Sequence, residues 1–205
     1  MKLYYKAGAC SMATHIVLNE LDETFELERV DTKKGVTETG ANYTNINPRG
    51  YVPAITLDTG ETLTENGAIL QYIFDQRFGD KVEINTLSRA YFQETVSFLS
   101  SELHKAFSPF FAEKRLNVDE RAEALTKLRK QLSNLENMIA DGRKFILGAE
   151  YTPADAYAFV ILNWANVINV QLDDWPKTKA FYERVKARPA TQTALAREGL
   201  VKVAA

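Results

Sequence analysis

The sequence predicts an α/β domain followed by an all-helical one, and two observations carry that prediction. Over residues 1–79, short apolar runs of period two alternate with stretches of helical periodicity, the pattern of a small mixed sheet flanked by helices. From residue 87 onward strand signals stop, and long apolar stripes at helical spacing take over. At 205 residues the chain can bury a substantial core, as one domain or two small ones. The change of pattern divides it into 1–79 and 87–205, with the polar residues 80–86 as a linker.

Residues 2–5 read as the first strand, and 11–21 as a helix with Ile16, Val17 and Leu21 on one flank. Phe25 to Val30 alternates and reads as a second strand, completing a βαβ unit. A polar, Thr- and Gly-rich segment then leads to Tyr51-Val52-Pro53. Asp58-Thr59-Gly60-Glu61 is a turn, which makes 54–57 and 61–64 a hairpin. Pro53 stands at a strand start, where a sheet tolerates a residue without an N–H, and Val52-Pro53 is a site open to a cis bond. Gly67 to Arg77 closes the domain as a helix with Ile69, Tyr72 and Ile73 at helical spacing. The order βαβ then ββα is that of thioredoxin-like domains.

In the second part, residues 87–114 carry a stripe at Phe92, Val96, Leu99, Leu103 and Phe107, which Pro109 should kink or end. Residues 119–140 repeat the pattern at Leu125, Leu128, Leu132, Leu135 and Ile139. Thr152-Pro153-Ala154-Asp155 reads as a capping box with proline at the first helical position. The helix it opens, Ala156 to Leu162, is apolar nearly all round and belongs at the centre of a bundle. Pro176 to Arg188 and Thr191 to Glu198 supply two more helices.

A formal charge of −2 offers no basic surplus for phosphate backbones, which argues against nucleic acid as a partner. No apolar run approaches a membrane span, and Met1-Lys2-Leu3-Tyr4-Tyr5 lacks the apolar core of a signal peptide, so a cytoplasmic protein without membrane partners is expected. One cysteine excludes an internal disulfide, and one Cys with two separated His is no metal-ligand set.

That cysteine, Cys10, follows the strand and the small-residue turn Ala7-Gly8-Ala9, where the first helix begins. Unpaired N–H groups and the helix dipole there favour thiolate over thiol, and the small neighbours leave room for a ligand. Inert packing is the competing reading. Glu65-Asn66-Gly67 joins a strand to a helix, where backbone N–H groups suit a carboxylate and the Glu65 side chain suits an ammonium. Val52 offers an N–H and a C=O to an extended peptide. Lys33 and Lys34 offer charge for a second carboxylate. Singly, each has a bland alternative, a cap or a solvated lysine. Jointly, they suit a small acidic peptide carrying a thiol.

With these segments in view, the chain resembles the glutathione S-transferases, most closely the bacterial beta class, in which a cysteine replaces the tyrosine or serine of other classes. The matching segments are Lys2-Leu3-Tyr4-Tyr5 through Gly8-Ala9-Cys10-Ser11, Asn47-Pro48-Arg49-Gly50 with Val52-Pro53, Leu63-Thr64-Glu65, Glu102-Leu103-His104-Lys105, and Thr152-Pro153-Ala154-Asp155-Ala156-Tyr157. The resemblance implies a thioredoxin-like domain, a helical domain, a homodimer, and glutathione in the cleft between domains. It implies Cys10 beside the glutathione sulfur and able to form a mixed disulfide with it, Val52 on the cysteinyl backbone with Pro53 in cis, and Glu65 with the Asn66 N–H on the γ-glutamyl group. Two positions depart from the pattern. Gly35 stands where relatives carry a lysine for the glycyl carboxylate, leaving that contact to Lys33 or Lys34, and Ser97 stands where relatives place an asparagine.

His104 matches the beta-class histidine near the sulfur. Helical spacing aligns Ser97, Ser101, His104 and Ser108 as one polar face, suited to a cleft wall, with an imidazole partly protonated near neutral pH. An exposed helix histidine without a role is the plain alternative. Glu102 and Lys105 are further ligand contacts by the resemblance, and Phe107, Phe110, Phe111 and Trp164 are candidates for an apolar electrophile pocket. His15 lies about 140° around an ideal helix from Cys10 and reads as structural. Tyr5 and Ser11 are fallback hydroxyl activators, and Tyr91 and Phe98 candidates for a subunit interface.

The expected activity is conjugation of the glutathione thiolate to small hydrophobic electrophiles, a detoxification chemistry, with disulfide or peroxide reduction through Cys10 as a second route. The rivals are a non-catalytic scaffold of the same fold and a dedicated catabolic transferase, a dehalogenase or aryl-ether lyase. A pure scaffold has no use for Cys10, Pro53, Glu65 and His104 together.

Overall fold

The computed structural model describes residues 1–77 and 86–201. Contacts divide the chain into two compact units, Met1–Asp80 with Lys186–Ala205, and Lys81–Val185. The expected linker, 80–86, lies outside the described residues except at Thr86, which opens a helix.

The first unit is built on β1 (Lys2–Tyr5), α1 (Ser11–Glu20), β2 (Glu26–Asp31), β3 (Val36–Thr37), β4 (Ala54–Thr56), β5 (Thr62–Thr64) and α2 (Asn66–Arg77). The five strands lie in the order β3-β2-β1-β4-β5. β1 runs parallel to β2, with Leu3 opposite Leu27, because α1 supplies the crossover that parallel neighbours need. It runs antiparallel to β4, with Leu3 opposite Ile55. As the central strand β1 is covered on both faces, and Leu3, Tyr4 and Tyr5 are all buried. The β4–β5 hairpin turns at Gly60, with φ +93°, and is closed by the Leu57 N–H donating to Glu61 O at 2.8 Å. β3 is a fifth strand, formed within the polar, Thr- and Gly-rich segment. Two residues, paired as Val30 with Thr37 and Asp31 with Val36, are too few to show a period. Beyond it, Tyr43–Asn45 forms a 3₁₀ turn capped by the Asn42 side chain. Tyr43 packs there with Tyr4, Val30 and Ala54, flanked by Ile46 and Val52.

The last helix, α8 (Pro189–Arg197), groups with this unit and not with the helical one, which corrects the expected boundary of 87–205. Side chains of α1 explain why. Asn19 Nδ2 donates to Ala190 O at 3.3 Å, and the Arg188 guanidinium meets Glu20 in a fork at 2.5 and 2.6 Å. His15, wholly buried, donates from Nδ1 to Glu198 Oε1 at 2.9 Å. His15 is structural, as expected.

The second unit contains α3 (Thr86–Phe98), a π-helical turn Leu99–Leu103, α4 (His104–Phe107), a 3₁₀ turn Ser108–Phe111, α5 (Val118–Met138), α6 (Pro153–Val167) and α7 (Pro176–Lys186). Phe92, Val96, Leu99, Leu103 and Phe107 are buried, as their spacing predicts, and helical structure passes into the 3₁₀ turn at Pro109. On α5, Leu128, Leu132 and Leu135 are buried, with Ile139 just beyond its end. α6 is buried without a break from Pro153 to Leu162. Its capping box forms as predicted: Asp155 Oδ2 accepts from the Thr152 N–H at 2.7 Å and the Thr152 hydroxyl at 3.0 Å. Asp155 Oδ1 also accepts the Ile146 N–H at 2.8 Å, tying the preceding loop to the helix start.

Candidate functional site

In the first unit the turn between β1 and α1 is closed twice. The Ala9 N–H donates to Lys6 O at 3.0 Å, and the wholly buried Ser11 hydroxyl accepts the Lys6 N–H at 3.2 Å. Gly8 sits at φ +71°, a conformation that glycine adopts without penalty. Ser11 is thereby a turn-closing residue, and Tyr5 is buried with its hydroxyl pushed up by desolvation, which disfavours its phenolate.

Cys10 is half-buried at the head of α1, and its side chain makes no capping hydrogen bond to the helix N–H groups. A side chain reaches those groups from an extended backbone, whereas Cys10 is already helical at φ −58°, ψ −22°. Its thiol instead donates to Val52 O at 3.3 Å, across 42 positions of sequence.

Val52 is held by its neighbours. The carbonyl of Tyr51 accepts from the Tyr43 hydroxyl at 2.8 Å and from Asn47 Nδ2 at 2.6 Å, and the Val52–Pro53 bond is cis. Asn47 and Tyr43, both buried, are organising residues to which the sequence reading assigned no role. Asn47 belongs to the segment Asn47-Pro48-Arg49-Gly50, whereas Tyr43 lies in a segment without periodicity.

Glu65 is exposed at φ +67°, immediately before α2, and its carboxylate stands 3.7 Å from Arg49 Nε. Arg49 is a third residue without an assigned role, and it competes with any ammonium for Glu65. Asn66 is buried, its Oδ1 accepting from the Thr14 hydroxyl at 3.1 Å, which joins α2 to α1. Lys33 and Lys34 are exposed on the turn after β2. Their N–H groups both donate to Asp31 Oδ1 at 3.1 Å, Lys34 Nζ lies 3.5 Å from the same carboxylate, and these contacts hold the Asp31 carboxyl below its usual range. Gly35 follows at φ +68°, a conformation that favours glycine.

In the second unit His104 is half-buried. Nδ1 lies 2.9 Å from the Tyr157 hydroxyl, and the edge-on ring of Trp164 is 4.7 Å away between centroids. Trp164 also meets Phe107 at 5.8 Å and Phe111 at 5.7 Å, so these four form one aromatic cluster. Phe107 is wholly buried, which makes it packing beneath the cluster instead of a surface for a ligand, while Phe111 is exposed. Phe110 does not join them: it lies under the Arg121 guanidinium at 5.5 Å.

Two expectations about this helix are corrected. Burial pushes the His104 imidazole down to about 4, with the nearby Lys105 charge adding to the effect, so it is neutral at pH 7 and not partly protonated. The polar face of Ser97, Ser101, His104 and Ser108 assumed an unbroken α-helix. The π turn places the His104 N–H on Leu99 O, five residues back, and changes the phase of everything after it. Ser97 is exposed, and its carbonyl accepts from the Ser100 and Ser101 hydroxyls at 3.1 and 2.8 Å. Glu102 and Lys105 are exposed too, Glu102 accepting from Gln131 Nε2 at 3.1 Å. No group of acidic, His and Cys side chains able to hold a metal, and no helix long and apolar enough to cross a membrane, occurs among the described residues.

Comparison with known proteins finds two family models, described as glutathione S-transferase, N-terminal domain, over residues 1–75, and glutathione S-transferase, C-terminal domain, over residues 98–189. The glutathione S-transferase GstA of Escherichia coli O157:H7 is 39% identical over 204 residues, covering 98% of this chain and 100% of the relative. A bacterial beta class glutathione S-transferase of Sphingomonas chungbukensis superposes with a TM-score of 0.91 at 39% identity, covering 98% of this chain and 100% of that one. A sphingomonad glutathione S-transferase solved with glutathione gives 0.90 at the same identity and coverage.

Proposed function

The chain belongs to the glutathione S-transferase family and is a glutathione transferase with glutathione as co-substrate; we propose that it works in the beta-class manner, on small hydrophobic electrophiles. In this reading Val52 pairs with the cysteinyl backbone of glutathione beside Pro53. Glu65 and the Asn66 N–H receive the γ-glutamyl end, and Lys33 or Lys34 the glycyl carboxylate. Ser97, Glu102 and Lys105 supply further polar contacts, and Phe111 and Trp164 apolar surface for the electrophile.

In conjugation the glutathione sulfur, as thiolate, forms an S–C bond while the carbon's bond to its leaving group breaks, and the thiol proton passes to solvent. In this reading the Cys10 thiol and the His104 N–H each serve to stabilise the glutathione thiolate before it attacks. In the second chemistry the Cys10 thiolate attacks a disulfide, releases one half as thiol and keeps the other as a mixed disulfide. Glutathione then resolves that bond, leaving with the retained sulfur as a new disulfide. A homodimer, a cytoplasmic location and a role in detoxification complete the proposal.

The observation that carries it is the 3.3 Å contact between the only thiol and Val52 O, next to the cis Pro53. The test is intact mass after incubation with glutathione disulfide, beside calorimetry with glutathione and a Cys10→Ala control. Binding with a reductant-sensitive adduct absent from the control supports both chemistries. Binding without an adduct leaves conjugation alone. Failure to bind glutathione overturns the proposal and favours the scaffold.

A further inference from the structure

Three observations converge on the atom of His104 that carries its proton. Nδ1 lies 2.9 Å from the Tyr157 hydroxyl, a hydrogen bond in which either partner could donate. Trp164, two turns along α6 from Tyr157, also packs against the ring, and both rings stand edge-on to it at interplanar angles of 81° and 69°. The π turn just ahead adds a residue to the helix and so sets the direction in which His104 leaves it.

Which partner donates follows from acid–base strength. The phenol is an acid with a pKa of about 10, whereas the unprotonated imidazole nitrogen is a base whose conjugate acid titrates near 6.5, far stronger than a phenol oxygen. O–H to N is therefore the favoured direction while the imidazole is neutral. Burial keeps it neutral. Nδ1 is then the acceptor, and the ring proton must reside on Nε2, on the side of the ring away from the phenol.

We propose that Tyr157 is a positioning residue that fixes His104 as its Nε2–H tautomer, so that the imidazole presents a standing N–H donor and no basic nitrogen. The inference rests on His104 serving the transferase reaction as set out above. It defines that service: His104 donates a hydrogen bond to an anionic sulfur or oxygen and does not take the thiol proton.

The test begins with the unaltered protein labelled with ¹⁵N-histidine, whose two histidines are distinguished by the loss of one set of signals in His104→Gln. Two-bond ¹H–¹⁵N correlation at pH 7 is expected to show an unprotonated Nδ1 and a protonated Nε2 for His104. A proton on Nδ1, or on both nitrogens, overturns the proposal without reference to any variant. Tyr157→Phe keeps the ring and its packing while removing the hydroxyl. It is expected to mix the two tautomers and to lower kcat about tenfold, with the KM for glutathione changed less than twofold. An unchanged tautomer in Tyr157→Phe overturns the proposal. A changed tautomer with unchanged kcat sustains the hold of Tyr157 on the ring and instead removes His104 from the reaction, so the two failures are distinct.

Discussion

Glu198 and Gly8 stand 190 positions apart, yet Glu198 Oε2 accepts the Gly8 N–H at 2.8 Å. The second oxygen of the carboxylate takes His15 Nδ1, so one buried group ties the turn before Cys10 to α1. Glu198→Ala strands both donors and should cost about 2–4 kcal/mol, the usual range for a buried charged acceptor removed from its partners. Urea unfolding checks this, with an unchanged slope and a lower midpoint expected.

Gly8→Ala tests the same turn by another route. A Cβ there would lie 3.7 Å from Leu200, an ordinary contact, but the backbone is at φ +71°. The cost is conformational, about 1–2 kcal/mol. A loss above about 3 kcal/mol would show that space and not conformation sets the limit there.

Asp155→Ala removes an acceptor for two buried N–H groups, those of Thr152 and Ile146, and for the Thr152 hydroxyl. A capping loss of about 1 kcal/mol applies to a surface helix, but α6 is the centre of its unit, and unsatisfied buried donors raise the expected loss to about 3 kcal/mol. Asp155→Asn keeps one acceptor oxygen and should recover part of it. Equal melting temperatures for the two variants would count against this account.

The charge state of His104 gives stability a sign with pH. Its folded value, about 4, lies below the unfolded value near 6.5, so between those limits the unfolded chain binds more protons. Stability attributable to this group is full above about pH 6.5 and falls as the pH drops, by up to about 3 kcal/mol once below 4. Subtracting the pH profile of His104→Gln from that of the unaltered protein should isolate the slope. A flat difference between pH 7 and 4 would mean that the imidazole titrates in the fold as it does in the unfolded chain.

Deleting Ser100, a half-buried residue in the π turn, should restore α-helical hydrogen bonding from α3 into α4 and turn His104 by roughly one residue's rotation, about 100°. Far-UV helicity is expected to persist while conjugation of a chloro-dinitrobenzene falls at least tenfold. Retained activity would show that the direction of His104 does not matter to the reaction.

What the sequence could show was what local pattern encodes. α6 was legible because Ala156 to Leu162 is apolar on every side, and the capping box because its partners are three residues apart. The hairpin was legible from the turn at Asp58-Thr59-Gly60-Glu61. The identities of Cys10, Val52 and Glu65 were legible as chemical types, but their pairings were not. The Cys10 thiol meets a carbonyl 42 positions away, and Arg49 reaches Glu65 only because a loop and a strand end adjacent in space. Burial of His104 depends on Tyr157 and Trp164, more than fifty positions on, so its neutrality has no local signature. The π turn has none either, since one extra residue leaves the apolar stripe of α3 and α4 outwardly intact.

The place of α8 in the first unit bears on how this protein is made. Synthesis is vectorial, and a ribosome that has released the whole sheet has not yet produced Glu198, the carboxylate that secures the turn before Cys10. The unit that starts first is therefore completed last, after the intervening helical unit has emerged. A nascent chain stalled before residue 188 would carry all five strands and still leave uncovered the side of α1 where Glu20 meets Arg188 and Asn19 meets Ala190. Such a chain is a natural target for holdase chaperones, and cutting at residue 80 is not a way to obtain the sheet as an independent module.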